Sequence, residues 1–246
     1  MPRLSIIAPM FNEADGLAQF AEQLDAALIA LAEVGVPASQ VEVIAVDDGS
    51  SDTTAERLRE LAGRGRLRVV THGVNRGLGA ALWSGFAAAR GELVAAVDAD
   101  CTYALTELAA LMALMDAGTG IVTASPYHAR GRVDGVPPIR LFLSRSLSRL
   151  YNVVLGAGLH TYTAMFRIYR RSAIELVPVH ADGFIAVTHL LAYPLLAGVR
   201  VREHPTVLGG RRFGTSKLRI ARVIRQHLGL LFRLALLRLR GGRGRR

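Results

Sequence analysis

Apolar and polar positions along this chain fall into a repeated unit: a short apolar run, a polar cluster, then apolar residues at helical spacing. Leu4-Ser5-Ile6-Ile7-Ala8 ends in Pro9-Met10-Phe11-Asn12-Glu13 and is followed by Leu17, Phe20, Leu24 and Leu28. Val41-Glu42-Val43-Ile44-Ala45-Val46 ends in Asp47-Asp48-Gly49-Ser50-Ser51-Asp52. There Gly49 permits a tight turn, and Ser50, Ser51 or Asp52 can cap a helix from near Thr53. Leu93-Val94-Ala95-Ala96-Val97 ends in Asp98-Ala99-Asp100. Apolar runs of this length, alternating with helical periodicity, predict buried strands in an open, mostly parallel α/β sheet. Such a sheet places ligands across the carboxyl edge of its strands.

The polar clusters carry the candidate chemistry. Extended backbone puts Asp98 and Asp100 on one side, where hard oxygen donors can share a Mg²⁺ or Mn²⁺ with a diphosphate. The same pair could instead cap the helix that follows. A fourth unit, Arg68-Val69-Val70-Thr71-His72 before Asn75-Arg76-Gly77-Leu78-Gly79, has glycines that would let backbone approach a nucleotide. It does not match the dinucleotide fingerprint Gly-x-Gly-x-x-Gly.

Taken in order, Pro9-Met10-Phe11-Asn12-Glu13, Val46-Asp47-Asp48-Gly49-Ser50-Ser51-Asp52, Asn75-Arg76-Gly77-Leu78-Gly79 and Val97-Asp98-Ala99-Asp100 resemble the signature of family 2 glycosyltransferases. Within that family the chain is most similar to the dolichol-phosphate mannose synthases and other polyprenyl-phosphate glycosyltransferases, from about residue 4 to residue 218. The resemblance implies a GT-A type fold, Rossmann-like, with a mostly parallel sheet flanked by helices. It implies donor contacts from Pro9, Phe11, Asn12, Glu13, Val46, Asp48, Asn75, Gly77 and Ala99. Metal ligation by Asp98, Asp100 and Thr102 follows on the same basis; relatives usually have Gln where Thr102 stands.

Composition agrees with one α/β domain: 246 residues can bury a large core. The single cysteine, Cys101, rules out an internal disulfide and reads as a small filler rather than a nucleophile. No secretory leader pattern precedes the first strand, so a cytosolic active site is expected. Charge changes the picture at the C-terminus. Residues 211–246 carry twelve Arg or Lys and no acid, and with +10 overall, residues 1–210 sum to −2. From Leu218 to Arg240, Ile220, Val223, Ile224, Leu228, Leu231 and Leu234 alternate with Arg219, Arg222, Arg225 and Arg233 at helical spacing. Arginines interrupt every apolar stretch, so the segment reads as a basic amphipathic helix on anionic lipid or as a helix packed on the body, not as a membrane span. The expected organisation is a catalytic domain over 1–217, then a membrane-surface helix and tail over 218–246. The tail lacks interleaved tyrosines, and no nucleic-acid partner is expected. Gly183–Val199 is uncharged but is broken by Thr188, His189, Tyr193 and Pro194, which predicts a buried core helix.

Two further elements concern phosphate. Lys217 is the only lysine, and Arg211-Arg212-Phe213-Gly214-Thr215-Ser216-Lys217-Leu218 matches the Arg-x-x-Gly-x-Ser-Lys-Leu element of the polyprenyl-phosphate transferases. A loop with a guanidinium and an ammonium can close over a diphosphate and neutralise the leaving group, which gives Arg211 and Lys217 catalytic roles beside Asp98 and Asp100. After Pro137-Pro138, Arg140, Ser144 and Arg145 fall on one side of a helix, and the resemblance implies that they grip a lipid phosphate. Arg167 in Phe166-Arg167-Ile168-Tyr169-Arg170-Arg171 is a further phosphate candidate. The Gly-Ser-Arg-Tyr element of relatives becomes Ala124-Ser125-Pro126-Tyr127, without its arginine.

The expected activity is inverting transfer of a sugar, mannose favoured, from a nucleotide sugar (GDP-mannose favoured) to a polyprenyl or dolichyl phosphate, by a peripheral enzyme at the inner membrane face. A phosphate acceptor is anionic and needs no dedicated base. A hydroxyl acceptor with a UDP-sugar donor would need one, with Asp182 or His189 as candidates. A non-catalytic nucleotide-sugar-binding module is the other alternative.

Overall fold

The computed structural model describes residues 2–210 and 220–241. Strands β1 (Leu4–Met10), β2 (Val41–Asp47), β3 (Arg68–Thr71) and β4 (Leu93–Ala96) alternate with helices α1 (Leu17–Glu33), α2 (Thr54–Gly63) and α3 (Leu78–Ala88). Helix α4 (Glu107–Ala113), β5 (Ile121–Ser125), β6 (Arg132–Val133), α5 (Pro138–Leu155), β7 (Arg167–Arg170), α6 (Arg171–Ile174), α7 (Ile185–Leu196), β8 (Val201–Pro205), β9 (Val207–Leu208) and α8 (Ile220–Gly241) follow. The main sheet has the order β3-β2-β1-β4-β7-β5-β8. β1 to β4 are mutually parallel, β7 runs antiparallel to both β4 and β5, and β8 is parallel to β5. Every strand but β7 therefore ends at the same edge. This is the mostly parallel, helix-flanked sheet that the apolar pattern predicts.

Strand side chains alternate between two cores with period two. Ile6, Ala8, Val43, Ala45, Ala95 and Val97 pack with Leu17, Phe20 and Leu24 of α1 and Leu108 and Leu111 of α4. Ile7, Ile44, Val46, Val94 and Ala96 pack with Ala81 and Leu82 of α3 and Leu190 and Leu191 of α7. Helix α7 is buried continuously from Ile185 to Pro194, as its uncharged sequence predicts. Among the described residues no helix is long and apolar enough to cross a membrane.

Helix α8 has two unlike faces. His227, Leu230, Leu231 and Leu234 are buried, and the leucines belong to the second core. Leu228, Phe232, Leu236 and Leu239 are exposed. The helix packs along α5, where Tyr151 Oη and His227 Nδ1 lie 2.9 Å apart. α5 in turn leaves Ile139, Phe142, Leu150 and Val153 exposed.

Candidate active site

The carboxyl edge is assembled from loops that hold one another. The Asp48 amide donates to the Met10 carbonyl (2.8 Å) and the Val97 amide to that of Ile7 (3.0 Å), extending the ladder into the polar clusters. Asn12 accepts from the Ser51 amide (2.8 Å), and its own amide donates to Ser50 Oγ (3.0 Å). The Glu13 amide donates to Thr54 Oγ1 at 2.9 Å. None of the three capping candidates is the N-cap, which is Thr53; Asp52 Oδ1 accepts from the Thr54 amide at 2.9 Å in the turn just ahead of α2. Asn12 and Cys101, at the ends of β1 and β4, are the two described non-glycine residues with positive φ, 55° and 52°. Strained backbone kept at two adjoining strand ends marks a site in which geometry is held for function.

Asp48 is buried and bonded three times. Its oxygens accept from the Arg76 and Gly77 amides (2.9 and 2.7 Å) and from His72 Nδ1 (2.7 Å). With Nδ1–H on the carboxylate, His72 Nε2 accepts from Ser84 Oγ at 2.8 Å. Asp48 thus holds the Asn75–Gly77 loop, an assignment the sequence reading missed because His72 and Ser84 carry no motif. The glycines act on backbone as well. A Cβ on Gly49 would meet Val74 C at 2.4 Å, and one on Gly79 would meet the Ala181 carbonyl oxygen at 2.1 Å. Gly49 makes the tight turn its sequence predicts, and Gly79 seats protein backbone where a nucleotide was expected.

Asp98 and Asp100 follow β4, both half-buried, and Asp100 Oδ1 accepts from the Thr102 amide at 3.1 Å. Burial, then the charges of Asp100, Asp98 and Glu13, push the Cys101 thiol up to about 11. Three carboxylates therefore act on one point, and Cys101 stays a protonated filler, not a nucleophile. Among the described residues no group of three or more His, Cys, Asp or Glu could hold a metal by itself. Two hard carboxylates in a field of this sign suit a divalent cation that brings its remaining oxygen ligands on a diphosphate. The Thr102 carbonyl accepts from the Gly209 amide (2.8 Å), so the described chain reaches residue 210 beside the carboxylate loop. Arg211 and Lys217 lie outside the described residues.

Other candidates are placed as follows. Pro9, Phe11 and Glu13 are half-buried at the end of β1, and Asn75 is exposed. Val46 is fully buried among Ile7, Ile44 and Ala81, so its side chain packs the core and does not line a ligand pocket. Ala99 is buried in the opposite core. Arg140 and Arg145 are exposed on α5, and Ser144 Oγ lies 2.7 Å from Thr163 Oγ1. Arg167 must be corrected. It is fully buried, with Nε donating to Thr123 Oγ1 (2.9 Å), Nη1 to the Val187 carbonyl (2.6 Å) and Nη2 to that of Tyr162 (2.8 Å). As a strand residue paired with Ala96 it points into the core and is no phosphate contact. Of the two candidate bases, His189 is buried within α7, where burial first and then Arg233 lower its pKa while a Val179 backbone contact raises it; Asp182 is exposed in the loop over Gly79.

The two sides of the site meet at two tyrosines. Arg145 lies over the Tyr127 ring, 5.4 Å from its centroid. Burial, and after it the fields of Asp98, Tyr127 and Asp100, push buried Tyr103 well above 10, against the opposing field of Arg167. The carboxylate pair and the ring that carries Arg145 thus act on one hydroxyl.

Residues 5–177 match the family model described as glycosyl transferase family 2. The chain belongs to that family. It is 32% identical over 224 residues to the polyprenol monophosphomannose synthase of Mycolicibacterium smegmatis, covering 88% of this chain and 81% of that relative. The dolichol-phosphate mannosyltransferase of Pyrococcus furiosus is 26% identical over 94% of this chain, which spans 63% of that longer relative. A mannosyltransferase from Pyrobaculum calidifontis, solved with GDP-Man and Mn²⁺, superposes with a TM-score of 0.60 at 24% identity, over 94% of this chain and 64% of that one. That likeness shows the same fold. As a family 2 glycosyltransferase, the chain carries its carboxylate pair at the edge where the sheet topology places a ligand.

Proposed function

We propose that this glycosyltransferase moves a sugar, mannose favoured, from a nucleotide diphosphate sugar to a polyprenyl phosphate, with inversion, at the cytosolic face of a membrane. One observation carries the reading. Arg145, on the proposed acceptor helix, lies over the Tyr127 ring, and Tyr127 acts together with Asp98 and Asp100 on the Tyr103 hydroxyl, which supports an acceptor phosphate held near the carboxylate loop. The activities for which the mycobacterial and archaeal relatives are named support the same acceptor and sugar.

Asp98 and Asp100, with Thr102 beside them, would hold a divalent cation, which would make the nucleoside diphosphate a better leaving group. Glu13, Pro9 and Phe11 form the donor wall at the end of β1, and Asp48 keeps the Asn75–Gly77 loop in register. Arg140, Ser144 and Arg145 orient the acceptor phosphate for in-line attack. Arg211 and Lys217 neutralise the departing diphosphate.

The outer faces of α5 and α8 support the membrane placement. Phe142 and Val153 on α5 are 64% and 79% exposed, and Phe232 and Leu239 on α8 are 68% and 70% exposed, beside Arg140, Arg145, Arg225 and Arg233. Apolar anchors with arginines at about 1 kcal/mol each hold a body to anionic lipid in a salt-sensitive way. The deciding experiment offers GDP-mannose, UDP-glucose and UDP-N-acetylglucosamine with polyprenyl phosphate and Mg²⁺ or Mn²⁺. GDP-mannose with metal is expected to yield polyprenyl phosphomannose. Transfer to a saccharide hydroxyl and not to the lipid phosphate would overturn the reading.

A further inference from the structure

Glu203, on β8, is only 8% exposed at its side chain, and it collects donors from three residues of two segments. Its Oε1 accepts from Ser125 Oγ (2.7 Å), the His160 amide (2.9 Å) and the Thr161 amide (3.1 Å), and its Oε2 from His160 Nδ1 (2.7 Å). The His160 ring is 46% exposed at its side chain and faces the His128 ring, with centroids 4.8 Å apart. Nothing in the proposed mechanism uses this cluster.

The hydrogen bonds set what each imidazole offers. His160 gives its Nδ1–H to Glu203, so in the neutral ring Nε2 is a proton acceptor. His128 Nδ1 accepts from the Arg130 amide at 3.2 Å, so in its neutral ring Nε2–H is a donor. A donor beside a proton acceptor is complementary to a hydrogen-phosphate group, which has both an oxygen acceptor and an O–H. The segments that carry the two histidines adjoin α5. His128 follows Tyr127, whose ring lies under Arg145, and His160 stands three residues before Thr163, which touches Ser144.

We propose that His160, oriented by Glu203 and paired with His128, binds the acceptor's phosphate beside Arg145 and takes its proton. The inference rests on the acceptor assigned above. A phosphate monoester has its second pKa near 6, so part of the acceptor arrives protonated at neutral pH and below. In the complex the proton sits on His160 Nε2, whether it arrives on the phosphate or is already on the ring, and Glu203 balances the imidazolium beside the phosphate dianion. The phosphate oxygen then forms its bond to the sugar's anomeric carbon as that carbon's bond to the nucleoside diphosphate breaks. The proton leaves His160 for solvent once product departs. The titratable groups that meet the His160 ring are Glu203 from β8 and His128 from the turn after β5.

The test measures transfer from GDP-mannose to a short-chain polyprenyl phosphate in detergent at pH 6 to 8, for wild type, His160→Gln, Glu203→Gln and His128→Asn, with nucleotide affinity measured alongside. His160→Gln is expected to lower kcat/KM for the acceptor at least tenfold at pH 6. The deficit should shrink toward pH 8, where the phosphate is already a dianion, and donor KM and nucleotide affinity should stay at wild-type values. Glu203→Gln should show the same pH trend with a smaller loss. An equal deficit at every pH, or a rise in donor KM, would reduce the cluster to a structural role and overturn the inference. If His160→Gln does not fold, His128→Asn carries the same comparison, and wild-type acceptor kinetics there would refute the site. Failure of wild type itself to use the lipid phosphate would bring down the acceptor assignment and this inference together.

Discussion

On the donor side of the carboxyl edge, loops from β1 and β2 are bonded through backbone amides and short side chains: Asn12 to Ser50 and Ser51, Glu13 to Thr54, Asp48 to Arg76 and Gly77. On the acceptor side, single long side chains gather distant segments. Glu203 joins Ser125, His160 and Thr161, and Arg167 joins Thr123, Tyr162 and Val187. Exposed faces of α5 and α8 complete that side. A donor site built from backbone keeps its shape whatever sugar it serves. On the side proposed for the acceptor the gathering side chains belong to the sheet itself, Arg167 on β7 and Glu203 on β8, so a substitution there reaches the sheet as well.

The comparison is broken most severely at Asp98 and Asp100, the pair proposed to hold a metal. Asp98→Ala and Asp100→Ala should each lower transfer by roughly 10³-fold, the several kcal/mol a cation contributes at a leaving group. The fold and liposome binding should stay intact. Transfer rates with Mn²⁺ and with chelator check this, and undiminished transfer in either variant would remove the metal assignment.

Helix α8 separates packing from surface. Leu231→Ala or Leu234→Ala, on the buried face, should cost about 2–5 kcal/mol of stability by denaturant titration. Leu228→Ser with Phe232→Ser, on the exposed face, should leave stability within about 1 kcal/mol of wild type and reduce flotation with anionic liposomes. Equal flotation of the outer-face variant at low salt would show that this face does not meet lipid.

A smaller effect reads the α5–α8 contact by pH. Burial first, then His189, pushes His227 down to about 4. The unfolded chain takes up that proton near pH 6.5 and the folded one does not, so stability falls as pH drops from 6.5 toward 4. The loss from this group is about 3 kcal/mol over that window. His227→Gln should flatten the acid limb of a stability profile, and an unchanged limb would place the acid sensitivity elsewhere.

Most of the donor half was legible in the linear pattern. An apolar run ending in Asp98-Ala99-Asp100, or in Asp47-Asp48-Gly49, is a local signal, because strand, turn and helix cap are each decided within a few residues. The sheet of parallel strands and the buried α7 follow from the same short-range preferences. Roles fixed by contact between distant segments were not legible. Arg167 reads as a phosphate ligand in sequence, yet pairing of β7 with β4 turns it into the core, where three acceptors satisfy it. Asp48 reads as a nucleotide contact, but the approach of His72 and the Asn75–Gly77 loop made it their anchor. His160 and Glu203 lie 43 residues apart and carry no motif; only the pairing of β8 with β5 brings Glu203 to the site edge. The chain by itself determined the elements, their polar ends and the family they belong to, because these rest on local sterics and on burial pattern. Tertiary structure decided which charges are buried, which are anchored and which stay exposed, because a side chain's role depends on the neighbours that long-range pairing supplies.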